Sequence, residues 1–317
     1  MTESKMLLPK KATIWEVCPR DGFQMEEEWI PTEDKIRLIR LFANTGIKNI
    51  EVTSFVHPRA IPQLKDAEEV VKSVQDLTDV KFRALIPNLK GAERAIGSGI
   101  KKLKLLLSAT DSHSLSNSNA TVKDAQAKLL PIVELANKSN VEVSGSIAVA
   151  FGCPFEGKVP VERILTILED YRKMGITEIS LADTSGTGDP KLIYDVLGLV
   201  KQEFPEFTFS MHLHNTRGMA FANAVAALQQ NVTIFDSSTA GLGGCPYAPN
   251  AAGNIASEDI VHAFHEMGVE TGIDLDKLLE AAKEVKNTIG HDGGSFLLKA
   301  GPNSQLHCKP KGQIKLG

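Results

Sequence analysis

Short runs of β-branched and apolar residues alternate with longer stretches of helical spacing along nearly the whole chain. ATIWEV (12–17) leads into a stretch where Ile36, Leu38, Ile39, Leu41 and Phe42 recur at helical intervals, entered at a Thr32 cap and stopped at Gly46. KNIEVTSF (48–55) precedes LKDAEEVVKSVQ, KFRALIP (81–87) precedes LKGAERAIGSG, and KKLKLLLSA (101–109) precedes TVKDAQAKLLPIVELANKS. VEVSGSIAVAF (141–151), TEISLAD (177–183) and FTFSMHLH (207–214) are followed by VERILTILEDYRKMG, PKLIYDVLGLVKQEF and GMAFANAVAALQQ. VTIFDSSTAG (232–241) runs into a glycine-rich loop and then a helix near SEDIVHAFHEMG. Strands alternating with helices of this length predict parallel βαβ crossovers. Eight such units in a row predict an α/β fold, a closed (β/α)8 TIM barrel, with an open doubly wound sheet as the competing arrangement.

No linker rich in Pro, Gly or Ser separates the units, so residues 1–317 read as one domain. The barrel takes about 10–268, and about 269–317 forms a short C-terminal helical extension containing DLDKLLEAAKEVKNTIG. A net charge of -4 argues against nucleic acid and anionic membrane surfaces as partners, since both favour a basic face. No apolar run reaches the length of a membrane span. Cys18, Cys153, Cys245 and Cys308 are too scattered for a disulfide framework and lack C-x-x-C spacing, which fits a reducing, cytoplasmic setting.

A barrel enzyme builds its site at the C-terminal ends of its strands. There this chain places Arg20, Asp21 and Gln24 after the first strand, Glu51 on the second, Asp183 at the end of the sixth, His212 and His214 on the seventh, and Asn254 after the eighth. In a strand, residues two apart face the same side, so His212 and His214 point together into the mouth. Two imidazoles with a carboxylate and an amide, and no thiolate, suit a divalent cation: Mg²⁺ or Mn²⁺, with Zn²⁺ a further option. A carboxylate in an apolar strand is costly unless paired, so Glu51 is expected to hold Arg20 or a ligand. Asp183 is open to three roles: general base, substrate positioning, or cap of the following turn. Glu26, Glu27 and Glu28 read as a solvated face, His262 and His265 as a helix surface, and Cys18 and Cys153 as packed small residues.

Taken in order, CPRDGFQ, IEVTSFV, FGCPFEGK, LADTSG, HLHNTRG and AGLGGCPYAPNAAGN resemble the 3-hydroxy-3-methylglutaryl-CoA lyases, barrel metalloenzymes related to the isopropylmalate and homocitrate synthases. The resemblance runs from about residue 10 to about 290. It implies retro-Claisen cleavage of 3-hydroxy-3-methylglutaryl-CoA to acetyl-CoA and acetoacetate, a step of leucine breakdown in the family, by an enzyme that is often a dimer. It implies a cation held by Asp21, His212, His214 and Asn254, and an enolate stabilised by Arg20. It also implies that Cys245, on a loop closing over the substrate, takes part in proton transfer, with Gln24, Glu51, Asp183 and Glu258 supporting the site.

The chain departs from the family in two places. Family members often carry H-x-H-D-T-Y-G after the seventh strand, where this chain has His214, Asn215, Thr216, Arg217 and Gly218. An Arg and a Tyr on the family's fifth strand, near the acyl group, correspond to Ser144 and Ser146. Both replacements shrink the side chain and widen the acyl pocket. The alternative substrates are therefore another 3-hydroxyacyl-CoA, such as a citramalyl-CoA or a longer 3-hydroxy-3-alkylglutaryl-CoA. A Claisen-type synthase or aldolase stands second, and a non-catalytic CoA- or metal-binding barrel third.

Overall fold

The computed structural model describes residues 6–244 and 253–306. Eight parallel strands close into a barrel in chain order. They are β1 (Thr13–Glu16), β2 (Asn49–Ser54), β3 (Lys81–Leu85), β4 (Lys102–Ser108), β5 (Glu142–Ala148), β6 (Glu178–Asp183), β7 (Thr208–Leu213) and β8 (Ile234–Ser237), with β8 returning to pair with β1. The expected TIM barrel is what forms.

Helices fill the outer layer: α1 (Thr32–Asn44), α2 (Ala67–Ser73), α3 (Leu89–Gly97), α4 (Asp111–Ser118), α5 (Val122–Lys138), α6 (Val161–Lys173), α7 (Pro190–Glu203), α8 (Ala220–Gln229) and α9 (Ser257–Glu266). Two more follow, α10 (Leu275–Ile289) and the short α11 (Leu297–Ala300), and α10 packs against α1 and α9. Local chemistry sets several of these ends. Asp189 caps α7 by accepting from Leu192 N, with Pro190 at its first position; α10 stops at Gly290 in the left-handed region, φ 77°.

The structure corrects two local expectations, the Thr32 cap and the end of the eighth strand, and adds two elements, a turn after β1 and the helix α4. Thr32 does not cap α1; Pro31 stands at the cap, and the Thr32 hydroxyl instead donates to Asp66 Oδ2 at 2.9 Å. The CPRDG stretch forms a five-residue π-helical turn, Cys18–Gly22. The eighth strand ends at Ser237, because Thr239–Gly241 tightens into a 3₁₀ turn. DSHSLSNS forms α4, which apolar spacing could not reveal; its N-cap Thr110 accepts from His113 N.

Cross-barrel contacts and register together identify the inward-facing residues. Lys104 Nζ reaches across the barrel to Asp236, so even-numbered residues of β4 face the interior. The register pairs Lys104 with Ser144, Ser146 with Ser180, Ser180 with Ser210, Ala182 with His212, and His212 with Asp236. Partners in a parallel pair share a face, so these residues line the interior. The strand residues between them face the helices. Gly145 on β5 is one, and a Cβ there would lie 2.8 Å from Tyr171 Cζ and 2.7 Å from Ile179 Cδ1. Tyr171 cannot easily yield, because its hydroxyl donates to Ser146 O at 3.0 Å. Gly145→Ala is therefore expected to destabilise the fold by about 1–3 kcal/mol, the usual cost of overpacking a filled core. A urea unfolding midpoint equal to that of the parent would contradict this packing account.

Candidate active site

The π-helical turn after β1 places two functional side chains next to each other. The backbone N–H groups of Arg20, Asp21 and Gly22 all converge on Val17 O, at 3.1, 2.7 and 3.3 Å. Both side chains are buried and ion-paired to each other. Arg20 Nε also donates to Glu51 Oε1, which fixes the guanidinium over the barrel mouth. Gln24 donates to Asp21 Oδ1 at 2.9 Å and so orients the carboxylate.

On β7 the two imidazoles meet, with His212 Nε2 and His214 Nε2 3.0 Å apart. Asp21 Oδ2 lies 3.8 Å from the first and 3.7 Å from the second. Asp21, His212 and His214 are the one buried His/carboxylate group among the described residues that gathers its ligand atoms closely enough for a metal ion. Asn254 joins them because residues 253–255 run back alongside the end of β7. Asn215 N donates to Gly253 O at 3.0 Å and Ile255 N to Leu213 O at 2.9 Å. Asn254 Nδ2 donates to Asp21 Oδ2 at 2.7 Å, while its buried Oδ1 has no partner among the described residues. An orphaned buried oxygen is costly, and beside two nitrogens and a carboxylate it completes the donor set of a divalent cation. The four residues therefore fit such an ion.

Electrostatics keep these ligands in their coordinating forms. Burial works to raise Asp21, but Arg20, His214 and His212 outweigh it and hold the carboxyl far below its usual range. Burial pushes His212 below the ordinary imidazole value, despite the opposing pull of Asp236 and Asp21. His212 Nδ1 lies 3.2 Å from Asp236 Oδ2, an acceptor only, so Nδ1 carries the proton and Nε2 offers its lone pair.

The other expected residues take varied places. Glu51 is wholly buried and bonds only to cations of the barrel, so it positions Arg20 rather than meeting substrate. Asp183 accepts from Thr187 N and Gly188 N at 2.9 and 3.1 Å, which closes the turn after β6; of its three open roles, this geometry is the turn-capping one. Arg217 is exposed at the rim and donates to Ser185 O and Gly186 O. Ser144 and Ser146 are buried on the inner wall of β5. Glu258 is wholly buried. It lies beneath the turn that begins the glycine-rich loop and accepts from Ala240 N at 3.2 Å. Cys245 lies outside the described residues.

Nothing but glycine fits where the loop passes the site. Gly243 has φ +108°, and a Cβ there would stand 2.6 Å from Asn254 Nδ2. Sequence reasoning missed four buried charged residues: Glu16, Arg83, Lys104 and Asp236. Glu16 ties the end of β1 to the base of the loop, accepting from Cys18 N, Thr239 N, Thr239 Oγ1 and Ser257 Oγ at 2.8, 2.9, 2.6 and 2.7 Å. For Arg83, Lys104 and Asp236 the available signal was a charge on the inward parity of an apolar strand, as at Glu51; Glu16 has the opposite parity, beside the inward Trp15.

Comparison with known proteins agrees with this geometry. The model of the HMGL-like family matches residues 11–285. The hydroxymethylglutaryl-CoA lyase YngG of Bacillus subtilis is 43% identical over 285 residues, covering 90% of this chain and 95% of that protein. A 3-hydroxy-3-isohexenylglutaryl-CoA/hydroxymethylglutaryl-CoA lyase of Pseudomonas aeruginosa is 38% identical over 295 residues, covering 93% of this chain and 98% of that one. The structure of an HMG-CoA lyase from Acinetobacter baumannii, in complex with coenzyme A and 3-methylmalate, superposes with a TM-score of 0.91 at 41% identity, covering 95% of this chain and 98% of that chain.

The buried Glu258 yields a pH prediction. Burial, aided by Asp259, raises its carboxyl to about 8. Between about 4.5 and about 8 the folded chain keeps a proton that the unfolded chain has lost, so this group's contribution to stability is present in acid and fades as pH rises. Glu258→Gln removes that slope. The urea midpoint of the variant is expected to gain on the parent's steadily from pH 5 to pH 8; a constant offset across that range would show that Glu258 ionises normally.

Proposed function

The chain belongs to the HMGL-like family, and on that premise we propose that it is a divalent-cation-dependent carbon–carbon lyase that cleaves 3-hydroxy-3-methylglutaryl-CoA to acetyl-CoA and acetoacetate. One observation carries this reading: Asp21, His212, His214 and the orphaned oxygen of Asn254 converge beside a buried, fixed guanidinium.

Breaking the bond between C2 and C3 requires a base to take the proton of the tertiary hydroxyl; one proton is added later at the enolate carbon, so the cleavage is proton-neutral overall. A divalent cation held by Asp21, His212, His214 and Asn254 supplies Lewis acidity that lowers the pKa of that hydroxyl. The departing acetyl thioester is an enolate. Arg20 meets its developing charge with a cation that cannot lose its proton, already oriented by Glu51, so no reorganisation is needed during the reaction. Protonation of the enolate carbon then completes acetyl-CoA, and the Cys245 thiol is the proposed donor. Mg²⁺ and Mn²⁺ both suit the donor set.

A second reading concerns the acyl group. Ser144 and Ser146 face the interior with small side chains, and the Pseudomonas aeruginosa relative is named for an isohexenyl substrate as well. Longer 3-hydroxy-3-alkylglutaryl-CoA thioesters, or a citramalyl-CoA, are the alternative substrates. The same proposal has the enzyme act in leucine breakdown, as a homodimer in the cytoplasm. The two described cysteines, Cys18 and Cys153, are free and buried, in keeping with a reducing compartment. No helix among the described residues is long and apolar enough to cross a membrane.

Incubation with (S)-3-hydroxy-3-methylglutaryl-CoA and Mg²⁺ or Mn²⁺ is expected to release acetoacetate and acetyl-CoA, and a chelator should abolish it. Cys245→Ala should lose most turnover. Arg20→Lys, which loses the fork, should lower kcat by about 10²–10³-fold, as for loss of a fixed oxyanion donor. A folded, cation-loaded protein that leaves this thioester intact but cleaves a longer or shorter one would replace the leading substrate with the alternative.

A further inference from the structure

We propose that Lys104 and Arg83 are positioning residues which, with Glu51 and Asp236, form a closed ion-pair ring that locks Arg20 and His212 into one rigid unit. The inference rests on the metal-site reading above.

The ring lies in the middle of the barrel and all four members are buried. Arg83 Nε donates to Glu51 Oε2 at 2.7 Å, and Arg83 Nη2 to Asp236 Oδ1 at 2.6 Å. Lys104 Nζ lies 2.7 Å from Asp236 Oδ2 and 3.2 Å from Glu51 Oε2. Each cation therefore spans both carboxylates, and each carboxylate spans both cations. One oxygen on each carboxylate also carries the ring outward to the site. Glu51 Oε1 accepts from Arg20 Nε, and Asp236 Oδ2 accepts from His212 Nδ1. Arg83 is further held flat against Trp15, 4.1 Å from the ring centroid.

Stability alone does not account for this arrangement. Layers in the middle of such barrels are usually filled by Val, Ile and Leu. Four desolvated charges are on balance no better than well-packed apolar residues, and often worse. What the ring supplies is fixed direction. Asp236 is pinned on three sides and cannot turn, so the His212 ring keeps the orientation that aims Nε2 at Asp21 and His214. Glu51 is pinned in the same way and aims Arg20. Two positive and two negative charges leave the ring neutral, so it adds no net charge beside the cation site.

The test uses the full-length protein and Mn²⁺ alone, with binding followed by electron paramagnetic resonance of the free ion. Lys104→Met keeps the length of the side chain and removes the charge. It is expected to weaken Mn²⁺ binding about 10–100-fold, the usual effect of losing a ligand's supporting partner. The kcat should fall alongside, while KM for the thioester stays within about 2-fold because Lys104 does not touch substrate. If Lys104→Met does not fold, the charge-balanced pair Lys104→Met with Asp236→Asn takes its place, with the same loss of Mn²⁺ affinity expected. A folded variant that binds Mn²⁺ as tightly as the parent, whatever its melting temperature, overturns the proposal: the ring would then be structural only. A parent protein that binds no Mn²⁺ would instead overturn the metal-site reading on which it stands.

Discussion

The carboxylate of Glu51 has no access to water, and its burial is the constraint from which the site follows. A charge removed from solvent costs several kcal/mol unless it is paired and hydrogen-bonded on every side. Burial pulls Glu51 toward neutrality, but Arg20, Lys104 and Arg83 together overcome that and keep it ionised. The carboxylate therefore dictates where three cations stand, and one of them is the Arg20 guanidinium. Asp21 follows Arg20 in the chain, and the π-helical turn that presents one presents the other. A single buried pairing thus sets the place of both the guanidinium and the carboxylate that the proposed mechanism uses.

The same logic recurs at the other side of the mouth. Glu16 and Glu258 are two more carboxylates without exposure, and both accept from the turn at residues 239–240 that begins the glycine-rich loop. Burial raises both above the ordinary carboxylate range, Glu258 to about 8, while the hydrogen bonds from Thr239, Ser257 and Cys18 oppose the rise at Glu16. They hold the base of the loop while the glycines let its backbone run close to the ligands. A Cβ at Gly253 would lie 2.4 Å from Gly241 O, so the two limbs of the loop touch backbone to backbone. That closeness brings Asn254 beside His214 and Asp21.

The barrel was legible in the sequence because its strands and helices differ in length and period, and that difference does not depend on partners. His212 and His214 were legible because a two-residue spacing on a strand fixes a common face. Glu51 was legible because its neighbours on IEVTSF are apolar. Asp236, Arg83 and Lys104 carried the same signal but escaped it. Lys104 is one of three lysines in KKLKLLLSA, where charge reads as a solvated strand end, and Asp236 stands in the polar second half of VTIFDSSTAG, where Ser237, Ser238 and Thr239 hide the apolar pattern that makes a buried charge conspicuous. Only the barrel's closure, which sets β8 and β2 opposite β4, shows that these charges answer one another. Serine-rich α4 escaped for another reason: its stability comes from its Thr110 cap and its packing on α5 and β4, and neither leaves an apolar period.

The interior divides into two arcs with different tasks. From β7 through β8 and β1 to β4 it is filled by His212, Asp236, Trp15, Glu51, Arg83 and Lys104, whose ion pairs leave no latitude for substitution. From β5 to β7 it presents Ser144, Ser146, Ser180, Ala182 and Ser210, and the buried hydroxyl of Ser180 has no partner among the described residues. Ala182 is the register partner of His212, so the small arc begins directly beside a cation ligand. On the proposed function, a substrate bound through its hydroxyl beside His212 has room for its acyl part on the side where side chains are short. On that function the fixed arc serves the bond that breaks, and the small arc the choice of acyl group. The serines of β5 and β6 partner none of the buried charges, so on the proposed function a change there alters the fit of the acyl group and leaves the cleavage chemistry in place.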